Sequence, residues 1–172
     1  TGHSQGGALA TLAAWDLAQY VQPVHQRMRD LVKSRGGVLN AANGKLVPQL
    51  EKPEIVLYTF GSPRVGDRSF RNAMNSLVPN SFRVVNDVDL VASVPPATRL
   101  IAPIHPYRHV GTEVVIDNAV PGSILVDPSF MEQTLRGKTK VHVKRHMLTN
   151  YRIGVHACLF SPADPAFATG PG

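Results

Sequence analysis

A single cysteine in 172 residues leaves the chain without an internal disulfide, and no Cys/His set stands at zinc-ligand spacing. A disulfide scaffold and a structural zinc module are therefore excluded. No apolar run reaches the roughly 18 to 20 residues of a membrane-crossing helix, and no basic-then-apolar leader opens the chain. Aromatics are scarce at 6%, and the cationic excess, 18 Lys+Arg against 12 Asp+Glu for a net +6, is scattered along the chain. A nucleic-acid face needs clustered basic residues, often with interleaved aromatics, so nucleic acid is not an expected partner. With 43% apolar residues the chain does have enough to bury the core of one domain.

The most specific feature stands at the first residues. Thr1-Gly2-His3-Ser4-Gln5-Gly6-Gly7 reads as G-x-S-x-G, the pattern of a nucleophile elbow. Such an elbow is a strained turn between a strand and a helix that forces the serine outward, and glycines at Gly2 and Gly6 let the two backbones approach. No strand precedes Gly2, so the chain is read as the C-terminal portion of a longer protein. A bare G-x-S-x-G also arises by chance and needs partners before it means chemistry.

Leu9, Leu12, Ala13, Leu17 and Tyr20 recur at helical spacing, which predicts a helix over about 7–21. From 22 to 53 the chain turns to basic and turn residues, with Gly36-Gly37 and Asn43-Gly44 between short apolar stretches; a helix extension and a hairpin inserted at the surface are expected. Ile55 to Phe60 is a continuous apolar run that suits a strand buried on both faces of a parallel sheet. A short helix over about 68–77, strands over 82–85 and 109–117, a loop-rich stretch over 118–142 and a last helix from 146 follow. This alternation is α/β. Residues 1–160 form the expected domain, and the Pro- and Gly-rich tail at 161–172 is expected to be disordered.

A serine hydroxyl becomes a nucleophile when an imidazole takes its proton and a carboxylate orients that imidazole. In α/β-hydrolases the order along the chain is serine, acid, histidine. Asp87 and Asp89 follow the strand at 82–85, and His105, His109, His142, His146 and His156 lie downstream. The order is satisfied, with several choices open.

Four segments, Gly2 to Ala10, Tyr58 to Asp67, Arg83 to Val91 and Tyr107 to Val114, resemble successive blocks of the class 3 lipases, the fungal triacylglycerol lipases and their plant and algal relatives. A fifth, His146-Met147-Leu148-Thr149-Asn150-Tyr151, resembles that family's histidine followed by a tyrosine. The resemblance implies an α/β-hydrolase fold, here its C-terminal part without the N-terminal strands. It places Ser4 as nucleophile, Asp89 as triad acid with Asp87 as the competing choice, and His146 as general base. It also makes the backbone N–H of Gln5 an oxyanion donor, although the family usually has leucine there. His142, in a strand-like Val141-His142-Val143 alternation, is read as structural; His109 is read as packing or hydrogen bonding, and His3 as part of the elbow. Arg64 and Asp67 are read as fixing their loop.

The implied reaction is hydrolysis of fatty-acyl esters of acylglycerols or polar lipids through an acyl-enzyme, a chemistry that requires no metal or organic cofactor. Its partner is a lipid ester met at a membrane or droplet surface. The length of the 22–53 stretch points to the plant and algal branch. By the same resemblance, the lid, the second oxyanion donor and the first strands belong to a preceding half, so this piece alone is expected to be weakly active or inactive. The lone cysteine points to an intracellular location, with a leader ahead of Thr1 left open. Two other readings remain: a non-catalytic lipase-like remnant that binds lipid or a partner, and an acyltransferase or peptidase using the same three residues.

Overall fold

The computed structural model describes residues 1–36, 38–39, 46–47, 53–87, 89–95, 106–117, 122–129 and 143–160. The expected disordered tail at 161–172, His105 and His142 lie outside these residues.

Strand β1 (Gly2–His3) leads through Ser4 into helix α1 (Gln5–Ser34). Two short strands, β2 (Val38–Leu39) and β3 (Leu46–Val47), pair antiparallel by themselves. Strand β4 (Leu57–Phe60), helix α2 (Arg68–Leu77) and strand β5 (Ser81–Asn86) follow, then β6 (Thr112–Ile116), β7 (Ile124–Val126) and helix α3 (Leu148–Phe160). The main sheet has the order β1-β4-β5-β6-β7; β1, β4, β5 and β6 are parallel and β7 is antiparallel to β6. Strand β7 falls inside the stretch that the sequence marked as loop-rich, because three residues next to an unhydrophobic loop carry too short a pattern to announce a strand.

Helices cover the sheet on both faces. On one, Ala14 and Ala18 of α1 and Met74 of α2 pack with Leu57, Val78 and Val110. On the other, Tyr151 of α3 packs with Val84 and Ile116, flanked by Phe60, Val114 and Val155. This second cover is partial. Leu57 and Thr59 are buried, but Tyr58 is 46% exposed and stacks on Phe82, their ring centroids 5.1 Å apart. The expected burial of this strand on both faces therefore holds only where α3 lies over Phe60.

Helix α1 does not stop near residue 21 but continues through Pro23 to Ser34. A proline in a helix leaves the carbonyl four residues back without its donor; here that residue is Gln19, which is exposed and can be served by water. Gly7, Thr11, Ala14, Ala18 and His25 form the buried face. A second stripe, Leu9, Leu17, Tyr20, Val24 and Leu31, points outward. Despite its length, no helix among the described residues is long and apolar enough to cross a membrane.

Helix α2 begins where Asp67 caps it, its Oδ1 accepting from the Phe70 N–H at 2.9 Å. Arg64 fixes its loop by reaching across the chain to the carbonyls of Ser93 and Pro95. Behind that loop the buried Arg83 pairs with Glu113 on the neighbouring strand at 3.0 Å. His109 donates from Nε2 to the Ala92 carbonyl at 2.8 Å. Burial, with the Arg83 and Arg64 charges nearby, pushes its pKa down to about 2.

His109 is therefore neutral in the fold, whereas in the unfolded chain it protonates near pH 6.5. Below that pH the unfolded state binds a proton that the native state refuses, so the contribution of neutral His109 is full above about pH 6.5 and declines as the pH falls. His109→Gln retains a donor without the titration. Its urea midpoint is expected to fall less than that of the unsubstituted protein between about pH 7 and pH 4.

Candidate active site

Ser4 stands between β1 and α1 with φ 58° and ψ −133°. A non-glycine residue at positive φ costs roughly 1–3 kcal/mol and persists only where its surroundings hold it. Two hydrogen bonds do so: the Ser4 N–H donates to the Phe60 carbonyl and the Gly7 N–H to the Ser4 carbonyl, each at 2.9 Å. The close approach is demanded of Gly2, where a Cβ would stand 2.1 Å from the Gly6 carbonyl oxygen, while a Cβ on Gly6 would meet nothing within 4 Å. The elbow thus needs the first of its two pattern glycines for space and not the second.

Serine at a helix start ordinarily caps it with its hydroxyl. Ser4 makes no such bond. Its Oγ lies 2.7 Å from His146 Nε2. On the other side of the ring, His146 Nδ1 lies 3.0 Å from Asp89 Oδ2 and 3.2 Å from Oδ1. A carboxylate accepts only, so Nδ1 carries the proton and Nε2 is left to accept from the serine hydroxyl. Asp87 sits in the turn after β5, its backbone N–H on the Ile116 carbonyl at 2.8 Å. The structure thus brings Ser4, His146 and Asp89 into one line, and the imidazole faces Asp89. Gln5 opens α1, so its backbone N–H is among the first four that have no acceptor within the helix.

The Asp89 side chain is fully buried. Besides His146, its Oδ1 accepts from the Val91 N–H at 2.8 Å, and its Oδ2 accepts from the Tyr151 hydroxyl. The Tyr151 oxygen in turn accepts from the Asn86 N–H at 3.0 Å. Burial and the hydrogen bond given to Asp89 push the Tyr151 phenol well above its ordinary value, so it remains a donor. Gly61, at φ +56°, makes room: a Cβ there would lie 2.7 Å from Asp89 Oδ2 and 2.8 Å from the Tyr151 oxygen.

His146 lies in a one-turn 3-10 segment, Val143–His146. That assignment also corrects the strand-like reading of 141–143 at Val143. Asn86, itself fully buried, donates from Nδ2 to the Arg145 carbonyl at 3.2 Å. Tyr151 and Asn86 are site residues that the sequence reading did not assign. Both lie inside segments singled out by resemblance, but nothing in their spacing announces a hydrogen bond between α3 and the end of β5. His109, 17 positions from its Ala92 partner, keeps to the packing role expected of it.

A family model described as Lipase (class 3) matches residues 1–99. The chain belongs to the class 3 lipase family. It is 37% identical over 162 residues to Phospholipase A1-Igamma2, chloroplastic, of Arabidopsis thaliana, an alignment covering 88% of this chain and 26% of that protein. It is 33% identical over 132 residues to a lipase of Rhizomucor miehei, covering 77% of this chain and 28% of that one. The solved structure of Rhizomucor miehei triacylglyceride lipase superposes with a TM-score of 0.54 at 28% identity, over 91% of this chain and 48% of that one. This class 3 lipase chain thus spans under a third of the curated relatives it matches, and its sheet with helices on both faces is part of an α/β-hydrolase fold.

Tyr151→Phe retains the ring that packs against Phe60 and removes the hydroxyl between Asp89 and Asn86. Losing a hydrogen bond to a buried charge costs about 1.5–3 kcal/mol. The substitution is expected to lower unfolding stability by that order, measured by chemical denaturation at neutral pH.

Proposed function

We propose that the protein is a serine ester hydrolase that cleaves fatty-acyl esters of acylglycerols or polar lipids, with Ser4 as nucleophile, His146 as general base and Asp89 as the acid. The observation that carries this reading is the unbroken line from Ser4 Oγ to His146 to Asp89, at 2.7 and 3.0 Å. Membership of the class 3 lipases, and relatives named as lipases and phospholipases A1, support the lipid ester.

In this mechanism His146 Nε2 takes the Ser4 proton as Oγ attacks the ester carbonyl. Asp89 holds the ring in the tautomer that leaves Nε2 free and stabilises the imidazolium that forms. The Gln5 N–H stands at the positive end of α1, where charge develops on the carbonyl oxygen. His146 then returns the proton to the departing alcohol, leaving an acyl group on Ser4. Water, deprotonated by the same imidazole, attacks that acyl-enzyme and releases the fatty acid. The substrate is met at a membrane or droplet surface.

The whole protein that carries this chain is expected to be labelled at Ser4 by a fluorophosphonate and to hydrolyse p-nitrophenyl acyl esters. Ser4→Ala is expected to abolish labelling and to lower kcat by about 10^4-fold or more. Asp89→Asn is expected to lower it far more than Asp87→Asn. Folded protein whose Ser4 is neither labelled nor needed for turnover would overturn the reading in favour of a non-catalytic lipase-like domain. Comparing a triacylglycerol with a phospholipid as competing substrates separates the two classes of ester, and adding alcohol or amine acceptors separates acyl transfer from hydrolysis.

A further inference from the structure

His146 is held at its side chain by Ser4 and Asp89, yet its backbone sits in a single 3-10 turn that pairs with no strand among the described residues. What fixes that turn is a series of side-chain donors on its carbonyls. Asn150 Nδ2 donates to the Lys144 carbonyl at 2.6 Å, Asn86 Nδ2 to the Arg145 carbonyl at 3.2 Å, and His3 Nε2 to the His146 carbonyl at 2.7 Å. The carbonyl accepts only, so His3 Nε2 carries a proton. The His3 ring also lies over the His146 ring, with centroids 4.8 Å apart and planes 26° from parallel, and meets Tyr151 edge-on at 5.6 Å.

His3 is itself well fixed. It pairs with Phe60 in the parallel β1–β4 ladder and directly precedes Ser4, whose N–H bonds to the same Phe60 carbonyl edge. One short strand end therefore makes two contacts with one residue 142–143 positions away: the hydroxyl of Ser4 touches the His146 ring, and the imidazole of His3 holds the His146 backbone. We propose that His3 is a positioning residue for His146, setting the distance between the general base and the nucleophile; this rests on the Ser4–His146–Asp89 reading above. Its hydrogen bond goes to the His146 backbone carbonyl. His3 holds that carbonyl and lies over one face of the ring, opposing displacement of the imidazole away from Ser4 Oγ and Asp89. A displacement of about 1 Å at such a contact can cost on the order of 100-fold in rate.

Three variants of the whole protein test this. His3→Phe keeps a ring over His146 and removes the donor; His3→Gln places an amide N–H near the position of Nε2 without the ring; His3→Met matches glutamine in length with no donor. Each is measured for kcat and KM, for melting temperature, and for the low-field proton resonance of the His146 Nδ1–H···Asp89 hydrogen bond. His3→Phe is expected to lose about 10- to 100-fold in kcat with KM within about twofold, and to broaden or lose the low-field resonance. His3→Gln is expected to restore most of both. A folded His3→Phe that keeps the original kcat and the resonance would overturn the proposal and leave His3 as packing. Should His3→Phe fail to fold, the glutamine and methionine variants decide: at least tenfold higher kcat for glutamine supports the donor role, and equal rates reject it. A Ser4→Ala control separates the two claims. Turnover that survives Ser4→Ala defeats the hydrolase reading, whereas the resonance still reports whether His3 holds the His146 ring against Asp89.

Discussion

A carboxylate with no exposed surface lies at the junction of the sheet and its last helix, and the local structure is arranged around satisfying it. Moving an ionised carboxyl out of water costs several kcal/mol unless donors replace the water. Asp89 receives them from three sources: the N–H of Val91 in the 3-10 turn Val91–Ser93 that follows it, the hydroxyl of Tyr151 on α3, and the ring of His146. Each donor has its own requirement. The turn depends on Val91, Tyr151 depends on α3 packing over Val84 and Ile116, and Gly61 must lack a side chain for the phenol and the carboxylate to meet. The same bonds that attach α3 to the sheet thus orient the imidazole, so the stability of that helix and the geometry of the site are one set of interactions.

The positions of the three groups follow from the topology. Ser4 comes off the end of β1 and Asp89 from the loop after β5, both strands of the parallel part of the sheet, and such strands deliver their following loops to one edge. His146 arrives differently, on a turn that leads into α3 from the opposite face. Ser4 is a strained point of the backbone: it is held at positive φ by the ladder and by the first turn of α1, and gives up the capping bond that serine usually makes.

Local sequence carried a large part of this. The apolar run ending at Phe60 and the polar helix over 68–77 were legible because each has a clear period and clear punctuation at Gly61 and Asp67. Ser4, Asp89 and His146 were legible only through order and resemblance, since spacing left Asp87 and several histidines equally open. Three things were hidden. The continuation of α1 through Pro23 depends on a solvent-facing Gln19, a tertiary circumstance that overrides a local breaker. The requirement for glycine falls on Gly2, because the direction of a missing Cβ is not written in a pattern. The work of His3, Asn86 and Tyr151 consists of bonds spanning 59 to 143 positions, and no window of sequence contains both partners.

The turn bearing His146 borrows part of its shape from elsewhere, and this has a bearing on when the three groups come together. Of the side-chain donors on its carbonyls, Asn150 is six positions from its acceptor while those from residues 3 and 86 are distant, so the turn takes its final form only when the first strand, the middle of the sheet and the last helix have met. Contacts of such long sequence separation form late, after the entropy of closing the intervening chain has been overcome. In a partly folded chain Ser4 is therefore an ordinary alcohol. The contact between the Ser4 hydroxyl and the His146 ring arrives only with that docking, which makes it a mark of completed folding.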